Sequence, residues 1–159
     1  MLHEQDYAAI GRFITDIASA ETVIGKLWWH QAFVTGSPVA TEKIQGAGMT
    51  AKLKNLRRLV SGGSRLEQQC VGLELGHSRV SAARNTLAHG FTSQAGPAPF
   101  ALNLKDEHQV FMSDLPQLLP WAAYLCELAI QAYADATRGI YQAEQDLPPL
   151  APIIAAPID

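Results

Sequence analysis

The sequence predicts an all-α protein, an antiparallel bundle of four to five helices with a short extended or hairpin insertion before the last long helix. Three observations carry that reading. Apolar residues recur at offsets of three, four and seven over most of the chain, the spacing that places them on one helix face. Glycine, proline and capping residues punctuate those stretches. Between residues 91 and 113 the helical period gives way to alternation. With 159 residues, 48% hydrophobic and 17% charged, the chain has enough apolar material for one core in one helical domain over residues 1–146. Residues 147–159 form a proline-rich C-terminal tail.

The first helix is predicted over about residues 6–34, where Ile10, Phe13, Ile14, Ile17, Ile24, Leu27 and Trp28 form the stripe. Gly36 and Pro38 end it. Glu21 breaks the stripe's chemistry. It follows Ile10 by eleven positions, about 20° off the stripe's centre at ~100° per residue. A carboxylate there either lies near the helix surface in water or needs a buried partner, since an unpaired buried charge is costly. Residues 36–48 read as a connector or a broken helix start.

A second helix is predicted over about residues 49–60, with Met49, Leu53, Leu56 and Val60 inward. Lys52, Lys54, Arg57 and Arg58 give it the densest positive charge in the chain, either a solvated face or a wall that attracts phosphates and RNA. The third helix starts at Ser64, an N-cap with Glu67 three positions on in capping-box spacing. It runs to His89, roughly 39 Å at 1.5 Å per residue, with Gly90 as a left-handed terminator. Its stripe is Leu66, Cys70, Leu73, His77, Val80, Arg84 and Leu87. Arg84, at the stripe's centre, points at whatever the helix packs against, and Glu21 is the acid available to pair with it.

Residues 96–99 read as a loop. Phe100, Leu102 and Leu104, then Val110 and Met112, alternate around Lys105-Asp106-Glu107, a hairpin or flap that must lean on the helices because two strands do not stand alone. The last helix is predicted from Ser113 or Asp114, with Pro116 in its first turn, toward about Gln145, with Gly139 as an interruption. The four prolines of the tail forbid further helix, so the tail reads as extended or mobile.

Several function classes lose support at this level. A formal net charge of −3 argues against a broad nucleic-acid surface but leaves room for a local basic groove. Cys70 and Cys126 make no CxxC pair and no disulfide framework, which fits a reducing compartment. His3, Glu4 and Asp6 argue against a signal peptide. The most apolar window, residues 115–134, holds two prolines, Glu127 and two glutamines, a poor membrane span. A soluble cytoplasmic protein is expected. Convergent zinc-ligand spacing, a nucleophile elbow and a phosphate-binding glycine loop are all lacking.

The most distinctive polar constellation is Arg84-Asn85-Thr86-Leu87-Ala88-His89-Gly90. Asn85 and His89 are four apart and share a helix face, so the amide can orient the imidazole. Arg84 and His89 are five apart, about 140° around the helix at ~100° per residue. They meet on one phosphate only if the last turn unwinds or if two chains pair this helix. Arginine to hold a phosphate and histidine to move a proton near neutrality form a minimal set of groups for metal-free RNA cleavage. Architecture is the competing reading: His89 as a dipole-favoured helix terminus, and Arg84 in a buried ion pair with Glu21. His77 reads as a satisfied core histidine unless a dimer axis brings it into the same cleft. His30 reads as interfacial or core-edge, and no motif surrounds His3 or His108.

On this motif, its place late in a long helix and the all-helical layout, the chain resembles the HEPN superfamily over about residues 6–145. The resemblance implies a bundle that dimerises through the motif helices. It implies metal-independent RNA cleavage without a cofactor, in a toxin–antitoxin or phage-defence setting with an antitoxin or defence-system partner. In that scheme His89 transfers the proton of the RNA 2′-hydroxyl, Arg84 stabilises the phosphorane, Asn85 orients the site, and the products carry 2′,3′-cyclic phosphates. The family also has inactive members, which leaves the alternative of a non-catalytic module binding RNA, nucleotide or protein. The insertion at residues 91–113 lies outside a minimal bundle.

Overall fold

The computed structural model describes residues 2–93, 100–103, 105–140 and 146–159. Five α-helices and a small sheet follow in the order α1 (Glu4–Val34), α2 (Thr41–Gln45), α3 (Met49–Arg58), α4 (Arg65–His89), β1 (Phe91–Ser93), β2 (Phe100–Leu102), β3 (Gln109–Phe111) and α5 (Leu115–Ala136). This is the expected helical bundle with an extended insertion before the last helix. The loop read over residues 96–99, Leu104, and the continuation of the last helix over residues 141–145 lie outside the described residues. Among the described residues no helix is long and apolar enough to cross a membrane.

The α1 stripe is buried as its period requires: Phe13, Ile17, Ala20, Ile24, Leu27 and Trp28 face the core. Phe13, Ile24 and Leu27 are wholly enclosed, each worth about 2 kcal/mol of burial. Their main neighbour is α5, which contributes Leu125, Leu128 and Ala129. Helix α5 begins with Pro116 in its first turn, tolerates Pro120 one turn later and ends at Ala136. The chain then turns through Gly139 at φ +85°, a left-handed conformation suited to glycine, so the helix stops well short of Gln145.

Helix α4 departs from its predicted face. The residues it buries are Gln69, Cys70, Leu73, Gly76, Val80, Ala83 and Thr86, a stripe rotated toward the small residues. The glycines are the cause. A Cβ on Gly72 would lie 2.5 Å from the Tyr124 hydroxyl and 2.6 Å from Leu128, and one on Gly76 3.3 Å from Leu125. These gaps let α5 press onto the Gly72–Gly76 side, and His77 and Arg84 swing to the flank that faces α1 and α3.

The start of α4 is capped in a modified way. Ser64 Oγ accepts from Glu67 N at 3.1 Å, but the Glu67 carboxylate takes the Gly63 N–H in place of that of Ser64. The end of α4 corrects another expectation. Gly90 is extended, at φ −80° and ψ 176°, not left-handed. Glycine is required there by crowding: a Cβ would lie 2.6 Å from the Leu102 carbonyl oxygen and against that of Thr86.

The insertion forms a three-stranded antiparallel sheet in the order β1-β2-β3. Phe100 pairs with Phe111, Ala101 with Val110 and Leu102 with Gln109. Ala101 and Val110 point inward, while Phe100 and Phe111 meet edge to face on the outer side. Ala101 joins Leu2, Met112 and Leu115 in a small second core beneath the sheet. Among the described residues a polar tie joins α4 to the residue that precedes β3. Thr86 Oγ1, fully buried, donates to Ala82 O at 3.0 Å and therefore accepts from His108 Nδ1 at 2.6 Å. His30, half-buried, donates Nε2–H to the Ala136 carbonyl at 3.1 Å and closes the last turn of α5.

The tail is extended, as its prolines dictate, and it is also docked. Gln131 grips it with both ends of its amide, Nε2 donating to Pro152 O at 2.8 Å and Oε1 accepting from Ile154 N at 3.1 Å. Ile153, Ile154 and Ala156 pack on the main core. Arg79 reaches Asp159 at 2.7 Å while its guanidinium lies 4.8 Å from the Trp121 ring centroid.

Candidate functional site

Because α4 is rotated, Arg84 and His77 lie on one flank of the helix, seven residues apart and so nearly in line. Together with Asn85 they line a cleft of about 510 Å³ whose other walls are Glu21 and Ile17 of α1 and the Gly48–Ala51 start of α3. Arg84 Nη1 donates to Asn85 Oδ1 at 3.1 Å. Among the described residues Arg84 makes no ion pair. The anticipated Glu21–Arg84 pair is not formed, although both residues line the same cleft.

Glu21 pairs instead with Lys52, Nζ to Oε1 at 3.3 Å. Lys52 is buried at 6% exposure, because its position on α3 faces α1. A buried ammonium takes the nearest carboxylate ahead of a partly exposed guanidinium, since it has the greater solvation loss to recover. This removes Lys52 from the basic wall. Arg57 is also engaged: it reaches Glu67 Oε1 at 3.2 Å and Glu74 Oε1 at 3.9 Å, and donates to Glu67 O at 3.1 Å. Lys54 and Arg58 remain exposed beside a shallower depression of about 390 Å³. Of the four cations grouped on this helix, two therefore serve packing and two face solvent.

His77 Nε2 lies 3.0 Å from the Thr50 hydroxyl, while its buried Nδ1 has no hydrogen-bond partner. Burial pushes its pKa below the ordinary 6.5; Glu21 opposes that shift and Arg84 adds to it. So His77 is only half satisfied, unlike the core histidine expected. His89 is exposed at the α4 terminus, is absent from the Arg84 cleft, and has no side-chain partner among the described residues. Asn85 is exposed too, and its amide is turned to Arg84.

Helix α3 starts at Met49, where the sequence places it, but sequence reasoning missed Thr50 and this helix start as parts of the cleft. A signal was present: the helix opens at Gly48-Met49-Thr50, with glycine where a capping side chain usually stands. Gly48 is indeed the N-cap and supplies no side-chain acceptor. The first helical bond runs from Lys52 N to Gly48 O at 3.0 Å. No acceptor among the described residues takes the N–H groups of Met49, Thr50 and Ala51. Chemically the cleft therefore offers an accessible guanidinium, a hydroxyl, a half-satisfied imidazole and the positive end of a helix dipole.

No protein-family model, curated protein or solved structure significantly matches this chain.

Proposed function

We propose that the chain is a metal-independent endoribonuclease of the HEPN type, acting as a homodimer through α4 in a toxin or phage-defence setting. The observation supporting this reading is Arg84, a guanidinium oriented by Asn85 at a polar cleft, with no carboxylate claiming it among the described residues. A purely architectural arginine would be expected to hold an ion pair. His89 is exposed on the same helix end and accessible to a substrate. The two lie about 140° apart around the helix at ~100° per residue and do not meet on one straight helix, so this reading takes the histidine for each arginine from the second copy of a homodimer.

In this reading His89 removes the 2′-hydroxyl proton of RNA. The oxygen attacks the adjacent phosphorus, Arg84 stabilises the charge that develops on the phosphoryl oxygens, and the 5′-oxygen departs with a proton. One strand ends in a 2′,3′-cyclic phosphate and the other in a 5′-hydroxyl. The test is incubation with mixed RNA in EDTA, beside Arg84→Ala and His89→Ala variants checked for folding. Cleavage by the wild type alone, with cyclic-phosphate ends, is the expected result, and His89→Ala should also relieve toxicity on expression. Absence of cleavage by folded wild-type dimer refutes it.

A second reading, a non-catalytic HEPN-like module that binds RNA, nucleotide or protein, has its own observation. The histidine beside Arg84 in the cleft is His77, not His89. On that reading, both variants leave expression tolerated and alter binding alone.

A further inference from the structure

We infer that the face along α4 and α5 is a receptor groove for an extended peptide of a partner protein, and that residues 151–159 occupy it in cis. The peptide it fits has two adjacent aliphatic residues flanked by proline and a carboxylate beyond them. The seated segment is the template for that chemistry. Residues 151–159 form no helix or strand, and none of them is buried. Among the described residues the buried members of the main core all fall between Phe13 and Ala132. The core therefore closes without this segment, which rests on it as a ligand does.

Gln131 is the centre of the groove. Its Nε2 donates to Pro152 O at 2.8 Å and its Oε1 accepts from Ile154 N at 3.1 Å. A strand residue makes this pair of bonds to the groups flanking its parallel neighbour, here Ile153. The amide thus reads backbone, as receptors that add a strand do, and any extended chain can satisfy it. Ile153 and Ile154 pack on the core beside it and set the preference for aliphatic side chains. Arg65 donates to the Ala151 carbonyl and is fixed from within. Its Nε reaches Asp135 Oδ2 at 2.9 Å, and that oxygen also accepts from Gln69, which is 1% exposed. At the far end Arg79 takes the Asp159 carboxylate at 2.7 Å. Arg65 and Arg79 stand fourteen positions apart on α4, about 21 Å at 1.5 Å per residue. Ala151 and Asp159 are eight apart, about 25 Å at the polyproline rise of ~3.1 Å. The two cations bracket an extended strand of that length.

The cis segment is held in a way that permits displacement. The Arg79 and Asp159 side chains are 45% and 60% exposed, and such pairs add little. A tethered segment docks through weak contacts because its effective concentration is on the order of millimolar. A free strand that fills the aliphatic contacts better replaces it by mass action. The groove lies where α4 meets α5, whereas the Arg84 cleft faces α1 and α3, so the inference rests on neither Arg84 nor His89.

The test uses the full chain and a fluorescein-labelled synthetic peptide of the sequence Leu150–Asp159, followed by anisotropy. In the wild type the cis segment competes and binding is weak. Ile153→Ser with Ile154→Ser unseats that segment without entering the buried core, and the folded double variant should bind the peptide at least about tenfold more tightly. Adding Gln131→Met, which keeps the bulk and removes both backbone bonds, should weaken that binding about tenfold or more. The same peptide with Ile153→Asp and Ile154→Asp should not bind. A second measurement needs no variant. In the ¹⁵N-labelled wild type, excess unlabelled peptide should move the Ile154 amide to an unstructured position and leave the Gln131 side-chain amide signals where they were. Light scattering tests the other occupant: dimers of the wild type that dissociate in the double variant would give the groove to a second copy and overturn the partner assignment. The inference is also overturned if the folded double variant binds the peptide no better than the wild type, or if the Ile154 amide stays in place in excess peptide.

Discussion

Replacing Glu21 with glutamine strips Lys52 of its only carboxylate among the described ion pairs while keeping shape and a hydrogen-bond acceptor. Removing one member of a buried ion pair typically costs about 3–5 kcal/mol, because the remaining charge stays buried and uncompensated. The Lys52 side chain is 8% exposed, near that limit, but Glu21 is 24% exposed and water softens the loss. The expected cost for Glu21→Gln is therefore about 2–3 kcal/mol, or a fall in Tm of roughly 5–10 °C for a chain of this size. Glu21→Leu with Lys52→Met should recover most of it, since apolar replacement of a whole buried pair is often neutral. Urea unfolding with double-mutant cycles measures both couplings: Glu21 with Lys52 should exceed 1 kcal/mol, about the upper end for exposed pairs. Glu21 with Arg84 should be smaller. A Glu21→Gln variant as stable as the wild type, or a coupling larger to Arg84 than to Lys52, would refute the assignment.

Gly90→Ala sets a Cβ against two backbone carbonyls that cannot rotate away; overpacking of about 2–3 kcal/mol should appear as a lowered Tm. Neutral behaviour would show that the sheet shifts freely on α4. Below pH 6.5 stability should decline. The His77 pKa is lower folded than unfolded, so the unfolded chain binds the extra proton as pH falls through that window; the loss levels off below the folded value. His77→Gln should flatten that component in acid-series unfolding. Burial pushes the Cys70 thiol up to about 11, so it should resist thiol reagents in the folded protein at mildly alkaline pH and react once urea unfolds it. Prompt labelling of native Cys70 would contradict its enclosure.

Much of this architecture was legible in the residues. The stripe from Phe13 to Trp28, the Ser64 cap and the Pro116 start each follow from local rules, and α1, α4 and α5 begin within two residues of where those rules place them. The motif's position at the end of α4 was equally local. Which way α4 faces was not. Periodicity assigns the centre of a stripe by hydrophobicity, and by that measure His77 and Arg84 stood at the centre. The tertiary structure moved the centre toward Gly72, Gly76 and Ala83, because α5 approaches most closely where side chains are smallest. The partner of Glu21 was decided the same way. Sequence named a carboxylate in need of a cation; only the packing of α3 on α1 made that cation Lys52 and left Arg84 facing a cleft. Pairings across 31 residues, like the tie between Thr86 and His108 across 22, depend on how elements come together in space, and no spacing rule within one element encodes that.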